Sequence, residues 1–487
     1  MPLQPKPEAC QGCPAYGDGQ GWVPDDMKPG VEVCVIGQNP GGDEEAGRRY
    51  LGHEQYEPSP HMPLIGKTGR VWERGYLPLA GLDRSEVSTG NIIRCRWGHK
   101  DKLPPLNQKI VRQAIEHCNR AHFRPPASTR VFVAMGEYAY YGLTSLQHDF
   151  NGWRGYVHPY RPLHAETVPP LPTRIWTPGQ VPGDPLPVYV VHHTARIFRE
   201  PEAELPAKRD WNKLAQLLAG KWPEPMPPLI AEPLDVWPNE FAFDTEFAEE
   251  EPDRLVRYSM ATRDRRVWVV EAMNAGRGTI LPGSKAIMHN APADLPHLRK
   301  FFGLTVEELL ALIEIEDTMY AHAVLWTGRV ETDDQKGKQG GASSHTLNFL
   351  GSIYARINRW KHLARIAPRQ YAGGDALGTM DAWATGLHGG LSGELARDPQ
   401  TKWVYENLQK PLVPIVLRAH KRGIATDQQA AKIALRAISE EQHTFELRAQ
   451  AYAGWPLNLR SPAHVAFWLY VIEQVKMKRR PFGGVAR

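Results

Sequence analysis

Apolar and polar positions alternate through three consecutive short runs, Asn239 to Phe247, Arg257 to Thr262 and Arg266 to Val270, and this period of two predicts a three-strand meander. Earlier runs lack such clean alternation. Val31 to Ile36, Val87 to Ile93, Thr129 to Met135 and Val188 to Val191 read as strands, the first entering the turn Gly37-Gln-Asn-Pro-Gly41 and the third a helix start at Gly136. Strands interleaved with helical sequence predict an α/β arrangement that binds ligands at the carboxyl ends of its strands. Beyond about Thr401 the pattern becomes helical: Leu412 to Arg422, a long amphipathic run to about Tyr452, and a restart at Leu457 to Pro462 with Asn458 and Ser461 as caps.

A chain of 487 residues is too long for one core, and two to four domains are expected. The stretch Lys221 to Asn239, rich in Pro and Trp, reads as a stiff, extended connector. The expected organisation is therefore an α/β multidomain chain: residues 1–222, a linker at 223–238, a second domain at 239–400 and a helical extension at 401–487. No apolar run approaches the ~20 residues of a membrane span, and the Pro-rich start lacks a signal-peptide core, so a cytoplasmic protein without a membrane partner is expected. The net charge of +4 is unevenly spread: Thr401 to Arg487 holds fourteen Lys/Arg against six Asp/Glu, which is +8 and leaves −4 for the rest. A basic end suits a polyanion such as DNA, and a solvated helical surface is the competing explanation.

Candidate chemistry begins in the strand Phe241-Ala-Phe-Asp-Thr-Glu-Phe247, where Asp244 and Glu246 fall on one face at spacing two. Two acids amid phenylalanines are costly to bury without a cation, so the strand reads as half of a metal site; the bland alternative is an edge strand with an acidic outer face. The five cysteines, at 10, 13, 34, 95 and 118, all lie in the first quarter of the chain, against a disulfide framework. Cys34 sits inside an apolar strand and reads as a core residue. The other four, opening with Cys10-Gln-Gly-Cys13, match either a structural zinc or an iron–sulfur cluster, between which spacing does not choose.

Over roughly residues 5 to 220 the sequence resembles the uracil-DNA glycosylase superfamily, most closely its iron–sulfur family 4. The resemblance is carried by the early C-x-x-C, the Gly37-to-Gly41 turn, Pro63-Leu-Ile-Gly-Lys-Thr-Gly69, Asn91-Ile-Ile-Arg-Cys-Arg96, Cys118, Arg154-Gly155 and the segment around His193. It implies an α/β/α sandwich with Cys10, Cys13, Cys95 and Cys118 as ligands of a [4Fe–4S] cluster. Asn91 would bond the edge of a flipped uracil, with Gln38 beside it, and His193 would stabilise the charge on the departing base, His192 being its fallback. Departures accompany the match. Gln38-Asn39 replaces the family's Glu-Ala, and Asn39 resembles the mismatch-specific and single-strand-selective branches, where Asn positions the water; an amide orients but cannot take a proton. Leu64 stands where family 4 stacks an aromatic on the base, a platform worth roughly 1–3 kcal/mol. Thr194 replaces the usual Pro, and Cys95 to Cys118 encloses a longer insert. These departures imply base release that is slow, altered in base choice, or absent.

The second domain resembles the 3′–5′ proofreading exonuclease of family A DNA polymerases, within the ribonuclease H-like (DnaQ-like) group. The motif residues are Asp244 and Glu246, then Asn290 and Asp294, then Tyr371 and Asp375, with Asp317-Thr-Met-Tyr-Ala321 and His345-Thr-Leu-Asn-Phe-Leu350 in support. The resemblance implies two Mg2+ or Mn2+ ions. Asp244 would bridge both, Glu246 and Asp375 would hold the first, Asp294 would act through the shell of the second, and Tyr371 would orient the attacking water. Asn290 matches the motif as a substrate contact, and His289 reads as structural or substrate-contacting.

The helical end is similar to the start of a family A polymerase thumb, through Gly423-Ile-Ala-Thr-Asp427 and the Asn458-to-Pro462 turn, and Lys476, Lys478, Arg479 and Arg480 would suit duplex phosphates. No palm or fingers motif follows. The expectation is a DNA-processing enzyme acting on single-stranded 3′ ends and uracil-containing DNA, either a truncated family A polymerase or one whose polymerase half is a separate chain, in a bacterium or a phage-infected host. The alternative is a non-catalytic accessory subunit that recognises uracil or DNA and tethers that polymerase chain.

Overall fold

The computed structural model describes residues 3–97, 103–163, 172–180, 183–248, 251, 254–274, 278–326, 345–423 and 427–472. The chain forms two compact units, Met1–Arg418 and Ala419–Arg487. Lys476, Lys478, Arg479 and Arg480, and part of the expected turn at 423–427, lie outside the described residues.

The first unit contains two sheets. The first is built from β1 (Val33–Gly37), β4 (Val87–Asn91), β5 (Val131–Met135), β6 (Val157–Pro159) and β7 (Pro187–Val191), in the order β4-β1-β5-β7-β6. A separate hairpin, β2 (Arg48–Gly52) and β3 (Gln55–Pro58), follows the first strand. The four parallel strands are buried at every position, which explains why β1, β5 and β7 read as apolar runs rather than alternation, while β4 buries Ser88, Thr89 and Asn91. Helices α1 (Lys109–His122), α2 (Glu137–Thr144) and α3 (Glu204–Leu218) join them.

In the second sheet, β8 (Leu229–Ile230), β9 (Glu240–Phe247), β10 (Leu255–Ala261), β11 (Val267–Glu271), β12 (Ser284–Met288) and β13 (Ile313–Asp317) take the order β13-β12-β9-β10-β11-β8. The meander read from alternation is β9-β10-β11, antiparallel, with Asp244 opposite Ser259 and Glu246 opposite Arg257. Strands β12 and β13 run parallel to β9. Helices α4 (Ala291–Phe302), α5 (Thr318–Leu325), α6 (Leu347–Tyr354) and α7 (Pro368–Met380) accompany this sheet. Helix α8 (Leu412–Arg422) contributes Val413 and Leu417 to its core. Tyr405 donates its hydroxyl to Glu316 at 2.8 Å and accepts from Asp317 N at 3.0 Å, so residues just beyond 401 are fastened to the β13 edge.

The proline-rich connector does not separate two independent bodies. One buried cluster runs from the first sheet through Trp211 and Trp222 to Leu350, Trp360 and Ala376. Polar contacts are buried in the same seam. Arg154 pairs with Asp210 at 2.5 Å and also bonds Ser352 Oγ, while Lys213 Nζ donates to Ser352 O at 2.9 Å. Asn358 Nδ2 donates to the carbonyls of Val157 and Trp176, both at 2.9 Å, and its Oδ1 accepts from Val157 N at 3.1 Å. Gly155 has φ +72, and a Cβ there would sit 2.7 Å from Ser352 O, so the close approach of the two parts requires glycine.

The second unit holds α9 (Gln428–Ala453), capped by Asp427, which accepts from Gln429 N and Ala430 N at 2.9 Å, and α10 (Pro462–Phe467), capped by Ser461. No helix among the described residues is long and apolar enough to cross a membrane.

The seam yields a stability expectation. Arg154→Met leaves Asp210 buried beside an apolar side chain, and removal of one partner of a buried pair costs about 3–5 kcal/mol. Chemical denaturation should show that loss, and a midpoint unchanged from wild type would refute the seam's importance.

Candidate functional site

Three constellations carry chemistry. The first lies at the carboxyl ends of β1 and β4, in a pocket lined by Gln38, Asn39, Asp43, Glu44, Leu64, Asn91 and His193 among others. Asn91 is buried, and its Nδ2 is an orphan donor with no protein partner. A Cβ on Gly37 would stand 2.6 Å from Asn91 Oδ1, and one on Gly136 (φ +98) would stand 2.5 Å from Gln38 Nε2 and 3.2 Å from His193 Cβ. Glycine at both positions therefore makes room for the polar side chains. His193 Nδ1 accepts from Ala195 N at 3.2 Å, which fixes the neutral tautomer with its proton on Nε2. Burial holds the imidazole down, at about 4. His192 is buried outside this pocket, with Arg196 Nη1 3.1 Å from both ring nitrogens, so of the two histidines only His193 lines it.

Two residues of this pocket went unnamed in the sequence. Glu44 is buried and accepts from Gly41 N at 3.0 Å and Leu64 N at 2.5 Å, tying the Gly37-to-Gly41 turn to the segment that carries Leu64. Burial raises its carboxyl to about 7. Leu64 itself has φ +59, an uncommon left-handed backbone for a leucine that this bond helps to hold. Asp43 lines the same pocket and accepts from Arg48 Nε at 2.7 Å.

The second constellation is a pocket lined by Cys10, Cys13, Cys95 and Cys118, with Ala15, Tyr16, Trp22 and Ile93. The thiols arrive from the chain start, from the segment after β4 and from α1. Burial pushes Cys10 up to about 11 and Cys95 to about 12, with neighbouring cysteines adding to both. Four thiols converging in apolar surroundings suit a metal centre that would take them as thiolates. Among the described residues no three of them come mutually within 4.8 Å, whereas ligands of one tetrahedral zinc at Zn–S ≈ 2.3 Å lie about 3.8 Å apart. Cys34 is fully buried in β1 and takes no part.

The third constellation is acidic. Asp244 and Glu246 on β9 and Asp375 on α7 offer ligand atoms all within 4.8 Å of one another, the one such group among the described residues. Burial, then Asp375, then Asp294 raise Asp244 well above the carboxylate range, and burial with Asp375 raises Glu246 to about 7. Asp294, in the first turn of α4, is outside the group of three: its Oδ1 accepts from Thr245 N at 3.1 Å and from the Thr245 hydroxyl. Burial raises it to about 7 as well. Tyr371 lies one turn before Asp375 on α7. His289 is bonded through Nδ1 to Thr318 Oγ1 at 2.9 Å, a structural contact. Asn290, at φ +65, begins α4. Its position depends on Asp317, whose carboxylate accepts from Asn290 N, Ala291 N, Met319 N and Tyr320 N and so caps α4 and α5 together. Lys361 and Trp360, both bonded to Asp375, are further residues that no motif had pointed to.

No protein family profile matches the chain. Sequence comparison finds the type-4 uracil-DNA glycosylases of Archaeoglobus fulgidus, 23% identical over 217 residues (44% of this chain, 91% of that one), and of Saccharolobus solfataricus, 20% identical over 214 residues (44% and 83%). The chain is weakly similar to type-4 uracil-DNA glycosylases. Structural comparison finds Brucella melitensis NrnC, with a TM-score of 0.29 and 18% identity over 40% of this chain and 94% of that one. It also finds the POL domain of Pol1 from M. smegmatis in complex with DNA primer-template and dNTP, with a TM-score of 0.29 and 16% identity over 49% and 38%.

The state of His193 is directly measurable. Its folded value of about 4 lies below the ordinary ~6.5, so the unfolded chain binds the proton more readily between those values. This group's contribution to stability is therefore intact above about pH 6.5 and declines as pH falls toward 4. An NMR titration of the imidazole should show it neutral down to about pH 5, and a midpoint near 6.5 would contradict the buried, Ala195-bonded tautomer.

Proposed function

We propose that this chain is a DNA-processing hydrolase in which a metal-dependent 3′–5′ exonuclease of the ribonuclease H-like group is joined to a uracil-DNA glycosylase-like domain. The observation that carries the nuclease reading is the meeting of Asp244, Glu246 and Asp375 within 4.8 Å, beside Asp294 and Tyr371. Burial and neighbouring carboxyls raise Asp244 well above the carboxylate range and burial raises Glu246 and Asp294 to about 7, and acids destabilised in this way suit cation binding. The donor set is all oxygen, which matches Mg2+ or Mn2+. When bound, such ions supply an activated water and stabilise the leaving 3′ oxygen. Asp244, Glu246 and Asp375 would hold them, Asp294 would support the site through Thr245 and an outer shell, and Tyr371 would orient the water. Asn290, on the αL residue that opens α4, would contact the 3′ nucleotide.

The glycosylase reading rests on a different observation, the unpartnered amide of Asn91, a residue that lines a pocket together with His193. Asn91 Nδ2 would donate to a carbonyl on the edge of a flipped base, with Gln38 beside it and Leu64 covering its face. Asn39 would position the water; its Nδ2 donates to Pro40 O at 3.2 Å. His193 would donate from Nε2–H to the oxygen on which charge gathers as the base departs, and as a neutral imidazole it can do so without first losing a proton. Cys10, Cys13, Cys95 and Cys118 would hold a [4Fe–4S] cluster, whose contribution is to lock the chain start, the segment after β4 and α1 together. A separate polymerase chain is the partner this reading implies for the helical end.

Two measurements test these assignments. Wild-type protein with Mg2+ or Mn2+ should release nucleotides from a single-stranded 3′ end, and the Asp244→Ala, Glu246→Ala double variant should fall to background while remaining folded. Digestion that persists in the double variant sinks the nuclease reading. Uracil-containing single- or double-stranded DNA should acquire alkali-labile sites, with His193→Ala slower by about 10²–10³-fold. Protein that lacks both activities, yet binds DNA, is the accessory subunit instead. Anaerobically prepared protein should be brown, absorbing near 400 nm, with the colour lost in Cys10→Ser; a colourless zinc protein would refute the cluster.

A further inference from the structure

Asp375 and Tyr371 stand one turn apart on α7, and a single cation touches both. Lys361, from the short turn Lys361–Leu363, pairs with Asp375 Oδ1 and places Nζ 3.3 Å from Tyr371 Oη and 4.7 Å from the centre of its ring. An ammonium only donates, so the phenol oxygen is the acceptor and its own proton is left to point elsewhere. Trp360 Nε1 donates to the same Asp375 Oδ1 at 2.6 Å, so both donors meet on one carboxylate oxygen. The pair of residues is seated with little freedom. A Cβ on Gly351, Gly374 or Gly378 would come within 2.5 Å of the Trp360 ring, so glycines on α6 and α7 form the bed in which the indole lies. Lys361 is also close enough to Asp244 and Glu246 to favour their ionised forms, making it a basic group common to all three carboxylates.

We propose that Lys361 is a positioning residue of the nuclease centre, a resident cation that fixes the Tyr371 phenol as a donor and stays on Asp375 Oδ1 while a divalent metal uses the remaining carboxylate oxygens. This rests on the nuclease reading. Two consequences have opposite signs. Without Lys361 the phenol loses its anchor and turnover falls, because a misplaced group near the reacting atoms costs on the order of 100-fold. The acidic group also becomes more negative, so a divalent cation binds more tightly. A residue that merely held the site together would weaken both.

The test uses the full chain as wild type, K361M and K361R, with Mn2+ binding followed by electron paramagnetic resonance and nucleotide release from single-stranded DNA followed at saturating metal. K361M should lose about 100-fold in kcat and bind Mn2+ about 3- to 10-fold more tightly, and K361R should recover kcat to within about fivefold of wild type. Unchanged kcat in K361M, weakened Mn2+ binding in K361M, or a K361R variant as slow as K361M each overturn the proposal. K361Q provides the same readouts should K361M fail to fold. A wild type that releases no nucleotide refutes the nuclease reading and this proposal with it, whereas an active wild type beside an equally active K361M refutes the role of Lys361 alone.

Discussion

Carboxylates held within 4.8 Å of one another cannot all be charged in a half-buried site unless cations stand among them, and much of the second sheet is arranged to meet that condition. Strand β9 supplies Asp244 and Glu246 on one face because a strand repeats every two residues, and β10 sets small Ser259 opposite Asp244. Helix α7 brings Asp375 against them. Trp360 and Lys361 hold Asp375 from behind, and the glycines of α6 and α7 exist at those points because an indole occupies the space a Cβ would need. Asp317 works at one remove: by capping α4 and α5 together it fixes the start of α4, and hence Asp294 against Thr245. Breaking any of these supports would shift a ligand rather than remove one.

The pocket at the end of β1 solves the opposite problem. Its groups are neutral donors, the Asn91 amide and the Nε2–H of His193, kept so by burial and by the bond from Ala195. A donor left unpartnered inside a protein costs about 1–3 kcal/mol, which a ligand carbonyl would offset. Glu44 is the one carboxyl buried in this pocket's wall. It serves backbone rather than ligand, accepting from Gly41 N and Leu64 N.

What could be read in advance followed the range of the interactions. Asp244 and Glu246 were legible because a two-residue period is local, and Tyr371 with Asp375 because a four-residue period is local to a helix. The strands that were read end within two residues of those found, whereas the β2-β3 hairpin, β6, β8 and β13 carried no pattern that was read. Lys361 and Trp360 were not legible, since the segment Asn358 to Leu363 has no period and its placement is decided by glycines that only tertiary packing brings to it. The seam was hidden for the same reason. Arg154 meets Asp210 and Ser352 across long stretches of chain, and nothing in Gly155 as a letter distinguishes a turn from a close approach. The proline-rich stretch looked like a boundary because its composition is stiff, yet Trp222 in it is buried, donating its Nε1 to Ala355 O at 3.0 Å. Stiffness sets the path of a segment and leaves open what packs on either side.

That seam also joins the stretch holding the Asn91 pocket to the sheet holding the acidic group. Arg154 belongs to the stretch that resembles a glycosylase, and its guanidinium is spent on Asp210 and on Ser352 of α6, the helix that also carries Gly351 beneath Trp360. Ser352 and Gly351 are neighbours, so the same turn of α6 receives the first sheet's arginine on one residue and the indole behind Asp375 on the next. An element shared this way links the two halves through packing: displacing α6 disturbs the support of Asp375 and uncovers the Arg154–Asp210 pair at once. The support of Asp375 and the buried Arg154–Asp210 pair thus share one helix, and loss of the seam is expected to disturb both rather than release one intact half from the other.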